Sequence, residues 1–143
     1  MSDEKILSGD EVLKKYDSES NTMEYRGVMA KFVSALAITF SIFQLYTATF
    51  GVLDAQLQRA VHLGFGLALA FLLYPTRKSW RRDKLHPLDA VLAVLGAAAP
   101  AYIVIFYREL VLRAALPTPA DVVVDAVGIF LVIEAARRVV GIP

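Results

Sequence analysis

The sequence predicts an all-α integral membrane protein: four antiparallel transmembrane helices, N- and C-termini cytoplasmic, preceded by a short amphipathic N-terminal helix. Three observations predict it. The 143 residues are 57% hydrophobic, with a mean hydropathy of +0.52, whereas a water-soluble surface is about a quarter to a third charged. The charges stand in blocks, and the stretches between them reach the roughly 20 apolar residues that a bilayer span requires. Lysine and arginine fall mostly on one side of those stretches. The apolar content excludes disorder. The lack of cysteine excludes a disulfide scaffold and thiolate metal sites. A net charge of +1 gives no case for nucleic-acid binding, and two histidines are too few for a histidine-rich metal site.

Residues 1–27 read as a cytoplasmic tail and 28–143 as the transmembrane domain, with spans at about 28–50, 57–74, 88–107 and 120–136. In the tail, Ser8 and Glu11 form an S-x-x-E capping box, and Val12, Leu13 and Tyr16 share one face. That face suits the cytoplasmic membrane surface. The first span is no signal peptide, since a long polar segment precedes it and no cleavage site follows. The spans are apolar on all sides, without the period-2 alternation of a membrane barrel. Short connections make the helices antiparallel neighbours. Pro87 fits a first helical position with Asp89 in the first turn. Thr118, Pro119 and Asp121 form a capping box at the fourth span.

Twelve lysines and arginines lie in the tail, the first turn of span one, the 75–87 connection and the C-terminal segment. Arg59, Arg108 and Arg113 are the three on the other side. This places both termini and the middle connection in the cytoplasm.

Charges at membrane depth cost about 2.5–3.5 kcal/mol or more at the bilayer centre, so each is a candidate contact. Glu134 precedes Arg138 by four residues, the favourable order for an ion pair anchored at the interface. Asp125 lies four residues deeper than Asp121 and is expected to pair with Arg113 or Arg59 or to meet water at the interface. An ion-ligand role is the sharper alternative. Arg59 and His62 open the second span and snorkel outward. Ser41, Gln44 and Thr47 form a polar strip suited to interhelical hydrogen bonds. Ala90, Ala93, Ala97 and Ala101 give the third span a small-residue face, Gly64 and Ala68 do the same for the second, and Pro100 should kink the third. Gly64-x-Gly66 is no nucleotide fingerprint, because no strand precedes it. No H-E-x-x-H, G-x-S-x-G or Walker loop occurs, so no enzyme activity, cofactor or metal is expected. A proton-coupled pump would carry ionisable groups across the middle of the bilayer, and the spans show no such chain.

Four strings, KYDSES (Lys15–Ser20), FQLYTATFGVLDAQLQRAVHLGFGLALAFLLYP (Phe43–Pro75), YRELVLRAALPTPAD (Tyr107–Asp121) and EAARRVVGIP (Glu134–Pro143), together span nearly the whole chain. In order and spacing they resemble the small-subunit-like (Q-type) N-terminal domain of tripartite ATP-independent periplasmic (TRAP) transporter permeases, TAXI branch. The resemblance implies a three-part system in the bacterial inner membrane. A periplasmic solute-binding protein captures a small organic anion, and a large permease subunit moves it by an elevator motion driven by an ion gradient. The small domain scaffolds that permease. In the family the solute and ion sites lie in the large domain, so no transport residue carries over. Fused relatives continue beyond the EAARRVVG-like segment, which leaves a separate subunit or a fragment of a fused permease open.

The residues at issue as partner or lipid contacts are Arg59, His62, Arg108, Glu109, Arg113, Asp125, Glu134 and Arg138. Arg59, Arg108, Glu109 and Arg113 would rim the surface where the binding protein docks. The alternative function is a self-sufficient, homo-oligomeric small transporter or channel. That class needs a membrane-embedded carboxylate at a dimer interface, which Glu134 lies too near the cytoplasmic end to supply. A membrane anchor or assembly factor with no transport role is a third reading.

Overall fold

The computed structural model describes residues 22–51, 53–77 and 83–140. They form five helices: α1 (Val28–Phe50), α2 (Ala55–Leu73), α3 (Pro87–Ile105), α4 (Tyr107–Leu112) and α5 (Pro119–Val140). Three of them, α1, α2 and α3, are long and apolar enough to cross a membrane. The predicted fourth span corresponds to α5. Its 22 residues extend about 33 Å, but it carries Asp121, Asp125, Glu134, Arg137 and Arg138. The tail helix over residues 8–16 and most of the basic middle connection lie outside the described residues.

Local chemistry sets the helix ends. Gly27 and Gly51 bracket α1 at φ +66° and +116°, where a side chain would be strained. Asp54 caps α2, its Oδ1 accepting from the Gln56 amide at 3.2 Å. Pro87 stands at the start of α3 with Asp89 in its first turn, as expected. From the sequence alone the 108–119 connection reads as a loop. It contains α4 instead, set off from α3 by Phe106. Pro100 lies within α3, which remains one helix to Ile105.

The core is a seam between α2 and α3, closed by α5. Phe71 and Leu131 are its most enclosed large apolar side chains, with Leu67, Leu72, Ala93 and Ala135 around them. Small residues allow this approach, but not the predicted alanine face. The buried stripe of α3 is Asp89, Ala93, Gly96 and Pro100, while Ala97 and Ala101 are exposed. The spacing is helical in both cases. What selects between them is the Phe71 ring, which needs the bare Gly96: a Cβ there would lie 3.2 Å from the ring and 3.0 Å from Leu67 Cβ. Gly64 meets Pro100 across the same seam, with 3.5 Å between a Cβ at 64 and Pro100 Cβ.

Helix α1 packs mainly on α2. Only Val33 and Thr47 of α1 are buried, and Phe32, Ile38, Ile42, Leu45 and Phe50 face outward. So broad an apolar exterior suits a hydrocarbon solvent. The strand of chain before α1 is tied back to α2: the Met23 amide donates to Leu73 O at 2.7 Å and the Tyr25 hydroxyl to Leu72 O at 2.6 Å. These bonds satisfy carbonyls that a helix C-terminus leaves without partners. They bring the start of α1 to the end of α2, and the Arg138 bonds to Asp89 and to the Tyr74 carbonyl bring the start of α3 and the end of α5 to the same end of the bundle.

Candidate functional site

The ion-paired residues gather in two clusters, one at each end. At the end just described, Arg138 of α5 is buried to 1% side-chain exposure, as is Asp89 of α3. Its Nη1 donates to Asp89 Oδ1 at 2.8 Å and to the Tyr74 carbonyl at 3.1 Å. Nη2 donates to Thr76 Oγ1 at 2.7 Å, and Thr76 in turn donates to Asp89 Oδ1 at 2.6 Å. Nε donates to Glu134 Oε1 at 2.8 Å. The guanidinium carbon sits 4.9 Å from the Phe71 ring centroid, a cation–π contact. Glu134 also receives Arg137, through Nε at 2.8 Å and Nη2 at 2.7 Å. The predicted Glu134–Arg138 pair is thus present, and Arg138 is a core residue. It joins α2, α3 and α5, and every guanidinium nitrogen has a partner.

Tyr25 borders this cluster. Burial, and then the Asp89 charge, push its phenol up to about 12 from the ordinary value near 10. The folded state therefore favours the neutral phenol. That contribution is complete below pH 10 and is lost as pH rises from about 10 through about 12. A tyrosinate absorbance titration of the folded protein, minus that of Tyr25→Phe, should show one group with its midpoint near 12. A difference curve centred near 10 would mean that Tyr25 is not held in this contact.

At the opposite end Asp121 is the centre. Its Oδ2 accepts from the Thr118 amide and hydroxyl, both at 2.8 Å, and the Asp121 amide reaches Thr118 Oγ1 at 3.4 Å. This is the predicted capping box. Oδ1 accepts from the Tyr102 hydroxyl at 2.7 Å and from Arg113 Nη2 at 3.0 Å. Asp121 therefore also ties α5 to α3 and to the turn after α4. Glu109 lies 4.0 Å from Arg113 and is well exposed. Outside the spans, the Asp54 carboxyl is lowered by a hydrogen bond from the Tyr107 hydroxyl and then by the Gln56 amide, and Tyr107 is raised by the same bond. The end of α1, the start of α2 and the start of α4 meet there.

Between α1 and α2, Gln44 Nε2 and His62 Nδ1 are hydrogen-bonded, and Phe40 meets the His62 ring edge-on at 5.1 Å between centroids. Gln58 Nε2 donates to the Thr47 hydroxyl at 3.4 Å. Gln44 and Thr47 thus serve the interhelical role expected of the polar strip. Ser41 instead donates to Ala37 O within its own helix.

The remaining predicted residues are not brought together. Arg59 and Arg108 are exposed. Asp125 is exposed on α5. Arg113, its expected counterion, goes to Asp121, and neither an ion pair nor a hydrogen bond to Asp125 is present among the described residues. Among those residues no group of three His, Asp or Glu side chains is placed to hold a metal ion. Sequence reasoning missed Asp89 as the counterion of Arg138, and missed Tyr25, Thr76 and Tyr102 altogether.

Comparison of the chain with family models, with curated proteins and with solved structures gives no match.

Proposed function

We propose that this chain is the small membrane subunit of a binding-protein-dependent, ion-gradient-driven secondary transporter of the TRAP type, acting on small organic anions in a bacterial inner membrane. It scaffolds a large permease subunit. The observation that carries the reading is the order and spacing of the four strings that resemble the small-subunit-like domain of these permeases. In this reading α5 is the fourth span, and the end bearing Arg138 faces the cytoplasm, where the basic connection and both termini then lie.

The arrangement of charge supports it. The buried ionised side chains of the described helices, Asp89, Asp121 and Arg138, lie at the two ends and are bonded to groups on other elements. Such bonds hold helices in place. The apolar middle is suited to packing and not to conducting a solute or an ion. A scaffold must stay still while a neighbouring domain moves, and two polar clasps at opposite ends of one seam suit that task.

Purification of the tagged chain from its native membranes in a gentle detergent tests the reading. The expected result is a stoichiometric, many-span permease among the co-eluting polypeptides. A chain that elutes only with itself would overturn it and favour a homo-oligomeric transporter. For the outer surface, charge reversal at Arg59, Arg108, Glu109 and Arg113 should weaken uptake at limiting binding protein and leave assembly intact. Unchanged uptake in all four variants would remove the docking role.

A further inference from the structure

Two apolar grooves flank the α2–α3 seam. The first, about 320 Å³, lies between α1 and α3 over Gly64 and is lined by apolar residues such as Leu36, Phe65 and Ala97. The second, about 410 Å³, lies between α3 and α5 over Leu63 and Leu67, with Ala99, Pro100 and Gly128 in its walls. The two differ in charge. The second groove holds an ionisable side chain, Asp125.

Asp125 is six residues beyond Pro119, about 9 Å along the axis of α5. With α5 as the fourth span, a short carboxylate at that depth falls short of the interface, which a lysine or arginine would reach. No group of the described chain bonds it, since Arg113 is taken by Asp121. The helix that bears it is also the long helix that falls short of the apolar content of a span. Lipid tails would fill the groove but leave the carboxylate without a partner. Gly128 is one turn along on the same groove, and a Cβ there would meet nothing within 4 Å. The wall is therefore open to close approach at the level of the charge.

We propose that the α3–α5 groove is the docking face for a transmembrane helix of the large partner subunit, and that this helix carries a lysine or arginine that pairs with Asp125. The proposal rests on the scaffold reading and specifies its interface. The partner helix supplies two things that the described residues lack at this place: a cation for Asp125 and side chains for the trough beside Gly128. The Gly64 groove carries no charge and is left to lipid.

The test uses the full chain in its native membranes. A photo-crosslinking residue at Ile129, in the groove, is compared with one at Ile42, outward on α1. The expected product at Ile129 is a peptide from an apolar segment of the permease that contains a lysine or arginine, with none at Ile42. Gly128→Leu and Asp125→Asn provide the second measurement. Gly128→Leu fills the groove from a position whose Cβ meets nothing within 4 Å, so it should not lower the resistance to unfolding in detergent. Both variants should lower the co-purified permease by on the order of tenfold or more. Lipid adducts only, a crosslink to a second copy, or a permease segment without a basic residue would each overturn the docking face. So would wild-type co-purification in both variants. In those cases a permease that still co-purifies leaves the scaffold reading standing. A chain with no permease partner in any variant overturns both.

Discussion

Arg138→Ala should be among the most destabilising single substitutions in this chain, costing about 3–5 kcal/mol. The reason is less the loss of an attraction than what remains. Asp89 is 1% exposed, and its Oδ2 already has no hydrogen-bond partner among the described residues. Removing the guanidinium leaves a buried carboxylate with only the Thr76 hydroxyl beside it. The Tyr74 carbonyl loses its donor as well, and the Phe71 ring loses the cation above it. Arg138→Lys should recover only part of the loss, because one ammonium cannot reproduce a planar fork that reaches Asp89, Tyr74, Thr76 and Glu134 together. The double variant Asp89→Asn with Arg138→Gln should recover roughly half of it, since neutralising both partners removes the stranded charge. Loss of helicity in detergent titrated with a denaturing surfactant measures all four proteins. Arg138→Ala unfolding at the wild-type surfactant fraction would show that the cluster contributes little. A double variant no better than the single would show that the stranded carboxylate is not the cause.

The ends of the helices were legible in the sequence because local chemistry sets them. The first span coincides with α1, where Gly27 and Gly51 mark both limits. The boundary at Pro87 and the capping box at Asp121 were read from residues within one turn of each other. Partners distant in sequence were less legible. Asp89 was assigned to the dipole of its own helix, whereas its decisive contact is an arginine 49 positions away. A signal did exist. The basic-residue count places the start of the third span and the end of the fourth on one side, so an acid in one and an arginine in the other stood at the same depth. The polar strip on α1 shows the same limit from the other direction. Gln44, Thr47 and Ser41 look alike by spacing, yet only the first two meet a donor or acceptor on α2. Asp125 has no partner among the described residues, and Arg113, one of its two expected counterions, is captured by the cap at Asp121. That competition is a matter of geometry and leaves no trace in the order of residues.

The second large effect is expected at Gly96, where the α2–α3 seam is closest. A Cβ at this position would stand 3.0 Å from Leu67 Cβ and 3.2 Å from Cδ2 and Cε2 of Phe71. Leu67 Cβ is fixed to the backbone of its helix and cannot swing aside. Phe71 is fully buried, with Arg138 over its ring, so the aromatic side can yield only by disturbing the ion cluster. Gly96→Ala gains up to about 1 kcal/mol of helix propensity, against an overpacking cost of about 1–3 kcal/mol, and should be destabilising on balance. Gly96→Leu cannot be accommodated without parting the helices, and should lower stability further and release Arg138 from its contact with Phe71. Gly128→Ala is the matched control, because no side chain and no neighbouring helix lies within 4 Å of its Cβ. It should be neutral or slightly stabilising. The same surfactant titration ranks the variants, with the expected order Gly128→Ala, wild type, Gly96→Ala, Gly96→Leu from most to least stable. Gly96→Ala as stable as Gly128→Ala would mean that the helices stand farther apart than the Phe71 contact requires. The destabilisation of Gly96→Leu and of Arg138→Ala should also be less than additive in the double variant. Phe71 is the shared neighbour through which both act, and once the seam has parted there is little left for the loss of the guanidinium to undo.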